Sequence, residues 1–315
     1  MASYWTAQSP VSSPGTDPLT TTAIANLSPD LSSLRTATTN AIYHFTNVDS
    51  PSPNSDIPTS RTAEKSLRYA SSILSTLLSR GSSPSLSIPR DPIDRVVGCS
   101  RDTALLFLTL ARAKGISARG RVGFVSDKDP TDPFWLDHVV VEVYDAESQR
   151  WKMVETMASE SSRDEGDDVD FLGLRPGVDF MTAPQAWKTA RDGMVDAKRF
   201  GVAPGEWMPD FLKGWHYLAH NVLHDLAWLG KKEMLLWDHW GVQEGTRGMT
   251  GEEVRDKLGK LVDEVCEVTG REDLKVEKME ELLGREGLAV PKMVGTVAPS
   301  GGGMIEEDVS KVLGL

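Results

Sequence analysis

The sequence predicts an α+β fold: a buried helix carrying a nucleophile packs on an antiparallel sheet, and a helical C-terminal extension follows. Three observations predict it. Residues 102–114 form a helix with almost no polar side, because Ala104, Leu105, Leu106, Phe107, Leu108, Leu110 and Ala111 cover its circumference. A helix apolar all round belongs in a core. Residues 118–125, 138–144 and 150–156 carry the alternating or β-branched pattern of strands. From Trp215 onward the apolar spacing becomes helical again.

Taken in order, residues 1–20 read as a disordered tail rich in Ser, Thr and Pro. Helix-compatible stretches follow over 23–46, and 49–60 is a Ser-, Pro-, Asp- and Asn-dense loop. Ala63, Leu67, Ala70, Ile73, Leu74, Leu77 and Leu78 recur at helical spacing and predict a helix over 62–78, closed by Arg80-Gly81. A loop over 82–94 leads to the apolar helix, which Gly115 ends. The short link Asp145–Gln149 makes 138–144 and 150–156 an antiparallel hairpin. If Tyr144 lies opposite Trp151, Val140 lies opposite Glu155. His138 and Glu155 are then diagonal neighbours, about 7 Å apart at Cβ. Thr250 with Glu253 forms a capping box ahead of the apolar face Val254, Leu258, Leu261, Val262 and Val265. A helix over 274–283 stops at Gly284, and Ser300-Gly-Gly-Gly303 signals a flexible end. The expected domains are a tail over 1–20, a core over 21–200, a helical extension over 201–290 and a tail over 291–315.

Composition narrows the function. The chain has 315 residues, 39% of them hydrophobic, enough for a sizeable core. Its formal charge of -12 argues against a general nucleic-acid binder, which needs a basic face to displace counterions from phosphate. Glu160, Asp164, Glu165, Asp167, Asp168 and Asp170 crowd one stretch beside Arg163. A solvated loop is the plain reading; attraction of a cationic or amine substrate is the functional one. No segment approaches the roughly 18 apolar residues of a membrane span, and residues 1–18 lack the basic-then-apolar order of a secretory signal. With Cys99 and Cys266 the only cysteines, no disulfide framework is expected and the expected location is cytoplasmic.

Gly98-Cys99-Ser100-Arg101-Asp102 stands at the mouth of the apolar helix, and His138 and Glu155 follow. A nucleophile, a base and an orienting carboxylate are the parts of acyl-enzyme chemistry. Unpaired backbone N–H groups at a helix start carry partial positive charge, which lowers a thiol pKa and stabilises an oxyanion. Asp145 is roughly 23 Å along the strand from His138, and Asp137 points to the opposite face, so Glu155 is the expected third member.

Gly98–Asp102, the run Leu110-Ala-Arg-Ala-Lys-Gly-Ile-Ser-Ala-Arg119, Asp137-His138 and Trp151-Lys-Met-Val-Glu-Thr156 together resemble the core of the transglutaminase-like superfamily. Residues 215–241, with Asn221, Asp225-Leu226, Glu233-Met-Leu235 and Trp237-Asp-His-Trp-Gly241, are similar to a helical extension in bacterial members. The resemblance implies a papain-like α+β core and a Cys-His-Asp triad. Two departures stand out. Glu155-Thr156 occupies the place where the superfamily usually has Asp-Pro, and its Cys-x-Asp pattern, counted back from Asp102, falls on Ser100 rather than Cys99. Thiolate reactivity near neutral pH favours Cys99. Register favours Ser100, since one residue at a helix start turns a side chain by about 100°. Asp102, Trp135, Asp137, Trp215, His216 and His220 are the expected substrate-contacting residues, and no cofactor is expected.

His216, His220 and His224 recur at i, i+4 on one helix, with His239 further on. This spacing suits zinc, but Tyr217 stands where a His-Glu-x-x-His site needs Glu. Leu218, Val222, Leu226 and Leu229 lie beside the row, so it reads as a helix flank or cleft wall, with no metal expected. Trp207, Trp215, Trp228, Trp237 and Trp240 read mainly as packing. The expected activity is acyl transfer from a small-molecule or peptide amide, ester or thioester to water or an amine. One alternative is an inactive module that binds a peptide or partner. Another is aminoacyl-tRNA-dependent peptide-bond formation, which would need a basic patch around Arg112, Lys114, Arg119 and Arg121, residues expected to face solvent.

Overall fold

The helix Ser100–Ala113 is buried from Ser100 through Arg112, as its all-round apolar surface requires. Its polar side chains are satisfied inside. Thr109 donates to the Ser12 carbonyl at 2.8 Å, and Arg112 donates to the Ser12 hydroxyl at 2.9 Å and to the Ala118 carbonyl at 3.2 Å. The computed structural model describes residues 2–46, 57–80, 84–127, 129, 131–157, 169–297 and 303–315. The chain is mixed α+β and separates into two units, Met1–Arg119 with Val140–Gly173 and Ala298–Gly303, and Gly120–Val139 with Leu174–Val297 and Met304–Leu315. The division falls within strands β3 (Ala118–Ser126) and β4 (Trp135–Asp145).

In the first unit, helices Ala2–Thr6, Leu31–Thr39 and Ala70–Leu78 pack around the buried helix. A parallel pair, β1 (Ile42–His44) and β2 (Val96–Gly98), leads into it, with His44 opposite Gly98. The expected helix over 62–78 is broken into a 3-10 turn, Thr59–Ser66, and the helix Ala70–Leu78. The break has a physical cause. Arg101 donates to the Leu67 and Arg68 carbonyls at 3.1 and 2.7 Å, taking acceptors that a continuous helix would use itself. The tail reading of residues 1–20 is corrected as well. Trp5 is 1% exposed and Val11 is fully buried, and the Trp5 ring meets Trp151 edge-on at 6.0 Å. Two apolar anchors outweigh the polar composition around them. The hairpin of β4 with β5 (Arg150–Val154) has Tyr144 opposite Trp151 and Val141 opposite Val154, the pairing assumed for the expected hairpin.

In the second unit, β3 pairs antiparallel with β6 (Phe180–Thr182), and the start of β4 pairs parallel with β7 (Phe200–Gly201). The sheet order is β5-β4-β3-β6, with β7 on β4. Helices Ala183–Arg191, Gly214–Leu229, Gly251–Thr269 and Val276–Leu283 follow. Thr250 and Glu253 form the capping box of the third, and Gly284 caps the last. The flexible-tail reading of 291–315 is corrected. β9 (Met293–Thr296) sits between β8 (Asp238–His239) and β10 (Ile305–Asp308), and Val309 and Val312 are buried. Their apolar spacing was too short to register as an element. The Gly-rich run at 298–302 lies outside the described residues, as do most of the loop at 49–60 and residues 81–83.

Candidate functional site

Cys99 is the N-cap of the buried helix and Ser100 its first residue. Both are 5% exposed. The Cys99 N–H donates to Asp102 Oδ2 at 2.9 Å, and Arg101 Nη1 lies 3.1 Å from Asp102 Oδ1. Burial pushes the Asp102 carboxyl up, against the opposing pull of Arg101 and of the Cys99 N–H and thiol. Gly98 makes this cap possible. A Cβ there would stand 2.6 Å from Asp102 Oδ2, so any larger residue displaces the carboxyl. Asp102, expected to touch substrate, caps the helix start.

Glu155 follows β5 and is 4% exposed. Its N–H donates to the Phe171 carbonyl at 2.8 Å, and its own carbonyl accepts from Arg35 Nε at 2.7 Å. Its Oε1 accepts the Met157 N–H at 2.7 Å. The next residue, Thr156, donates its hydroxyl to Thr103 Oγ1 at 3.1 Å. The first turn of the buried helix is thereby tied to the residue after the expected acid. Thr103, Thr156 and Arg35 were missed in the sequence, where a buried Thr pair has no spacing signature and Arg35 lies far away along the chain.

His138 falls in the second unit, whereas Cys99, Ser100 and Glu155 fall in the first. It is half-buried on β4. Asp137 beside it accepts a hydrogen bond from the Tyr217 hydroxyl at 2.9 Å. Burial pushes the Asp137 carboxyl up, while Tyr217 and His138 pull it down. Trp135, two residues earlier, is buried and stacks on Phe200 with centroids 6.2 Å apart. Its indole N–H has no hydrogen-bond partner among the described residues. Trp215 packs edge-on against Trp187 at 5.2 Å, with Arg255 over it at 5.8 Å.

The histidine row has its own geometry. His216, His220 and His224 present Nε2 to the carbonyls of Met249, Leu236 and Asp238, each at 2.8 Å. A carbonyl only accepts, so each Nε2 carries the proton. Burial lowers the pKa of His220 well below its ordinary value and that of His224 to about 4. Tyr217, His220 and His224 stack in succession, with centroids 5.4 and 4.2 Å apart. Among the described residues, no three His, Cys, Asp or Glu side chains are grouped to hold a metal. Cys266 is poorly suited to chemistry, since burial and then Asp263, Asp225 and Glu267 push its thiol up.

The expectation that Arg112, Arg119 and Arg121 face solvent is corrected; they are 4%, 2% and 3% exposed. Arg119 pairs with Glu142 at 2.5 Å, and Arg121 pairs with Asp225 at 2.8 Å. Buried arginines satisfied by carboxylates offer no phosphate surface. Within the acidic run, Glu160 to Asp168 lie outside the described residues. Asp170 accepts the Leu172 N–H at 2.9 Å and so shapes its own turn.

Residues 57–156 match the model of the transglutaminase-like superfamily, a span that includes Gly98–Asp102, His138 and Glu155. The match covers about a third of the chain and is to the superfamily rather than to any subtype within it. No curated protein and no solved structure matches the chain. Among the described residues, no helix is long and apolar enough to cross a membrane.

Proposed function

From the superfamily match over residues 57–156, we propose that the protein is a cysteine-type acyl-transfer enzyme. Cys99 is the nucleophile, with Ser100 the alternative by register; His138 is the base and Glu155 its orienting carboxylate. The thiol sulfur attacks an amide, ester or thioester carbonyl as its proton passes to His138. The tetrahedral oxyanion then collapses, and the leaving group departs with the proton from the imidazolium. Water or an amine attacks the acyl-enzyme and returns the thiol. The observation that carries this reading is the Thr103–Thr156 hydrogen bond, which docks the acid's segment on the first turn of the nucleophile helix.

Intact-mass trapping with iodoacetamide and with a fluorophosphonate tests it. One adduct is expected, lost in Cys99→Ala (or, for a serine nucleophile, in Ser100→Ala) and slowed at least tenfold in His138→Ala. A second reading, a superfamily module that binds a peptide without chemistry, is favoured by one observation: Asp102 engages both the N–H and the thiol of Cys99, as a purely structural cap would. Labelling that is absent or independent of His138 selects that module.

A further inference from the structure

We propose that Tyr217 is a positioning residue for the base: its hydrogen bond fixes the Asp137 carboxyl behind His138 and so sets how tightly the imidazole holds a proton. The inference rests on the proposed role of His138 as base. Asp137 and His138 are consecutive on β4, and strand alternation sends their side chains to opposite faces. Asp137 therefore acts on the imidazole through its field, the coulombic coupling that His138 exerts in turn on the carboxyl. Tyr217 comes from the helix Gly214–Leu229, and its hydroxyl reaches Asp137 Oδ2 at 2.9 Å.

The tyrosine ring is itself immobilised. It is 4% exposed, stacks on His220 at 5.4 Å and meets Phe124 edge-on at 6.3 Å. A half-buried carboxyl with a rigid donor is held in one orientation, which a carboxyl on a free strand surface lacks. The coupling is reciprocal, since the charge on His138 pulls the Asp137 carboxyl down.

Among the described residues, titratable groups on neighbouring elements have partners of their own. His220 donates to the Leu236 carbonyl, Arg121 on β3 is held by Asp225, and Arg199 ahead of β7 pairs with Asp132. An opposite charge at about 4–6 Å raises a histidine pKa by roughly one to three units, and the greater separation across a strand brings the expected effect to the lower end.

The experiment is an NMR titration of the His138 ring in the full chain, with Tyr217→Phe, Asp137→Asn and wild type compared. Asp137→Asn is expected to lower the proton affinity of His138 about tenfold. Tyr217→Phe, which keeps both ring contacts, is expected to lower it about threefold and to shift the pH profile of electrophile labelling by the same amount. A His138 titration unchanged in both variants overturns the inference. The two hypotheses separate cleanly. Shifted titration without any labelling leaves Tyr217 as the tuner and removes the catalytic reading; labelling that needs His138 with unshifted titration does the reverse.

Discussion

Replacing Asp225 by Ala removes one partner of the Arg121–Asp225 pair and should cost more stability than any exposed ion pair in the chain. Asp225 Oδ1 accepts from Arg121 Nε at 3.0 Å, Oδ2 accepts from Arg121 Nη2 at 2.8 Å, and Oδ1 also takes the Val122 N–H at 2.9 Å. The side chains are 4% and 0% exposed. Without the carboxylate, the guanidinium loses its two-point Asp225 partner and keeps the Thr269 carbonyl at 3.2 Å. Removing one partner of a buried ion pair costs about 3–5 kcal/mol, and an orphaned backbone N–H costs about 1–3 kcal/mol. Entry of water relieves both together, so the expected loss is about 4 kcal/mol rather than the sum. Urea unfolding followed by circular dichroism measures it, with the slope checked for constancy. The double variant Arg121→Met, Asp225→Leu removes both charges and should return to within about 2 kcal/mol of wild type. A loss below about 1 kcal/mol for Asp225→Ala, or a double variant no better than the single, would refute the reasoning.

Three further outcomes are expected. Gly98→Ala should push the Asp102 carboxyl off the Cys99 N–H, lowering stability by about 1–3 kcal/mol and slowing electrophile labelling, both readable from one preparation. Trp5→Ala should destabilise the first unit by about 3–5 kcal/mol, since the ring is 1% exposed; an unchanged urea midpoint would restore the tail reading. The buried histidines should make the second unit acid-labile. His224 has a folded pKa of about 4 against an ordinary 6.5, so below pH 6.5 the unfolded state binds the extra proton. Stability then falls with pH until about pH 4, by about 3 kcal/mol for this one group. Urea midpoints for wild type and His224→Gln across that range should converge as the pH drops.

What was legible in the sequence had a strong local cause. The apolar circumference of residues 104–111 marked the buried helix, β-branched alternation marked β4, and Thr250 with Glu253 marked a helix start. Link length marked the hairpin, and the pairing assumed for it, Tyr144 opposite Trp151, is the one found. The misses had non-local causes. Periodicity carried the helix through 67–69, where a distant arginine side chain, Arg101, takes the carbonyls. Composition classed 1–20 as a tail, although the burial of Trp5 and Val11 is decided by surfaces elsewhere in the unit. Arg112, Arg119 and Arg121 looked solvent-facing because Ser12, Glu142 and Asp225, which neutralise or satisfy them, are out of reach of any local pattern. For the candidate site, residue types and chain order were readable, but the commitments of Asp102, Glu155 and Tyr217 were not.

Those commitments sharpen the choice between Cys99 and Ser100. An N-cap residue sits outside the helix with its carbonyl already accepting the first helical bond, and here the Cys99 carbonyl accepts from Asp102 N at 3.0 Å. Its backbone is extended, φ -140 and ψ -169, and the partial positive charge of the first turn beside it favours a thiolate. Ser100 lies within that turn, where the same field lowers a hydroxyl pKa far too little to ionise it near neutral pH, so it would depend wholly on a base. The opposing influence on Cys99 is Asp102, whose ionised form would disfavour a thiolate next to it. Burial pushes that carboxyl up, against the pull of Arg101 and Cys99, which weakens the repulsion. On this reasoning Asp102→Asn, neutral and still able to cap, should retain labelling at Cys99. Asp102→Ala should lose the cap, about 1 kcal/mol of stability and the labelling together. If Asp102→Asn abolishes labelling while folding normally, the carboxyl itself takes part in the chemistry, and the cap assignment is the part that must be given up.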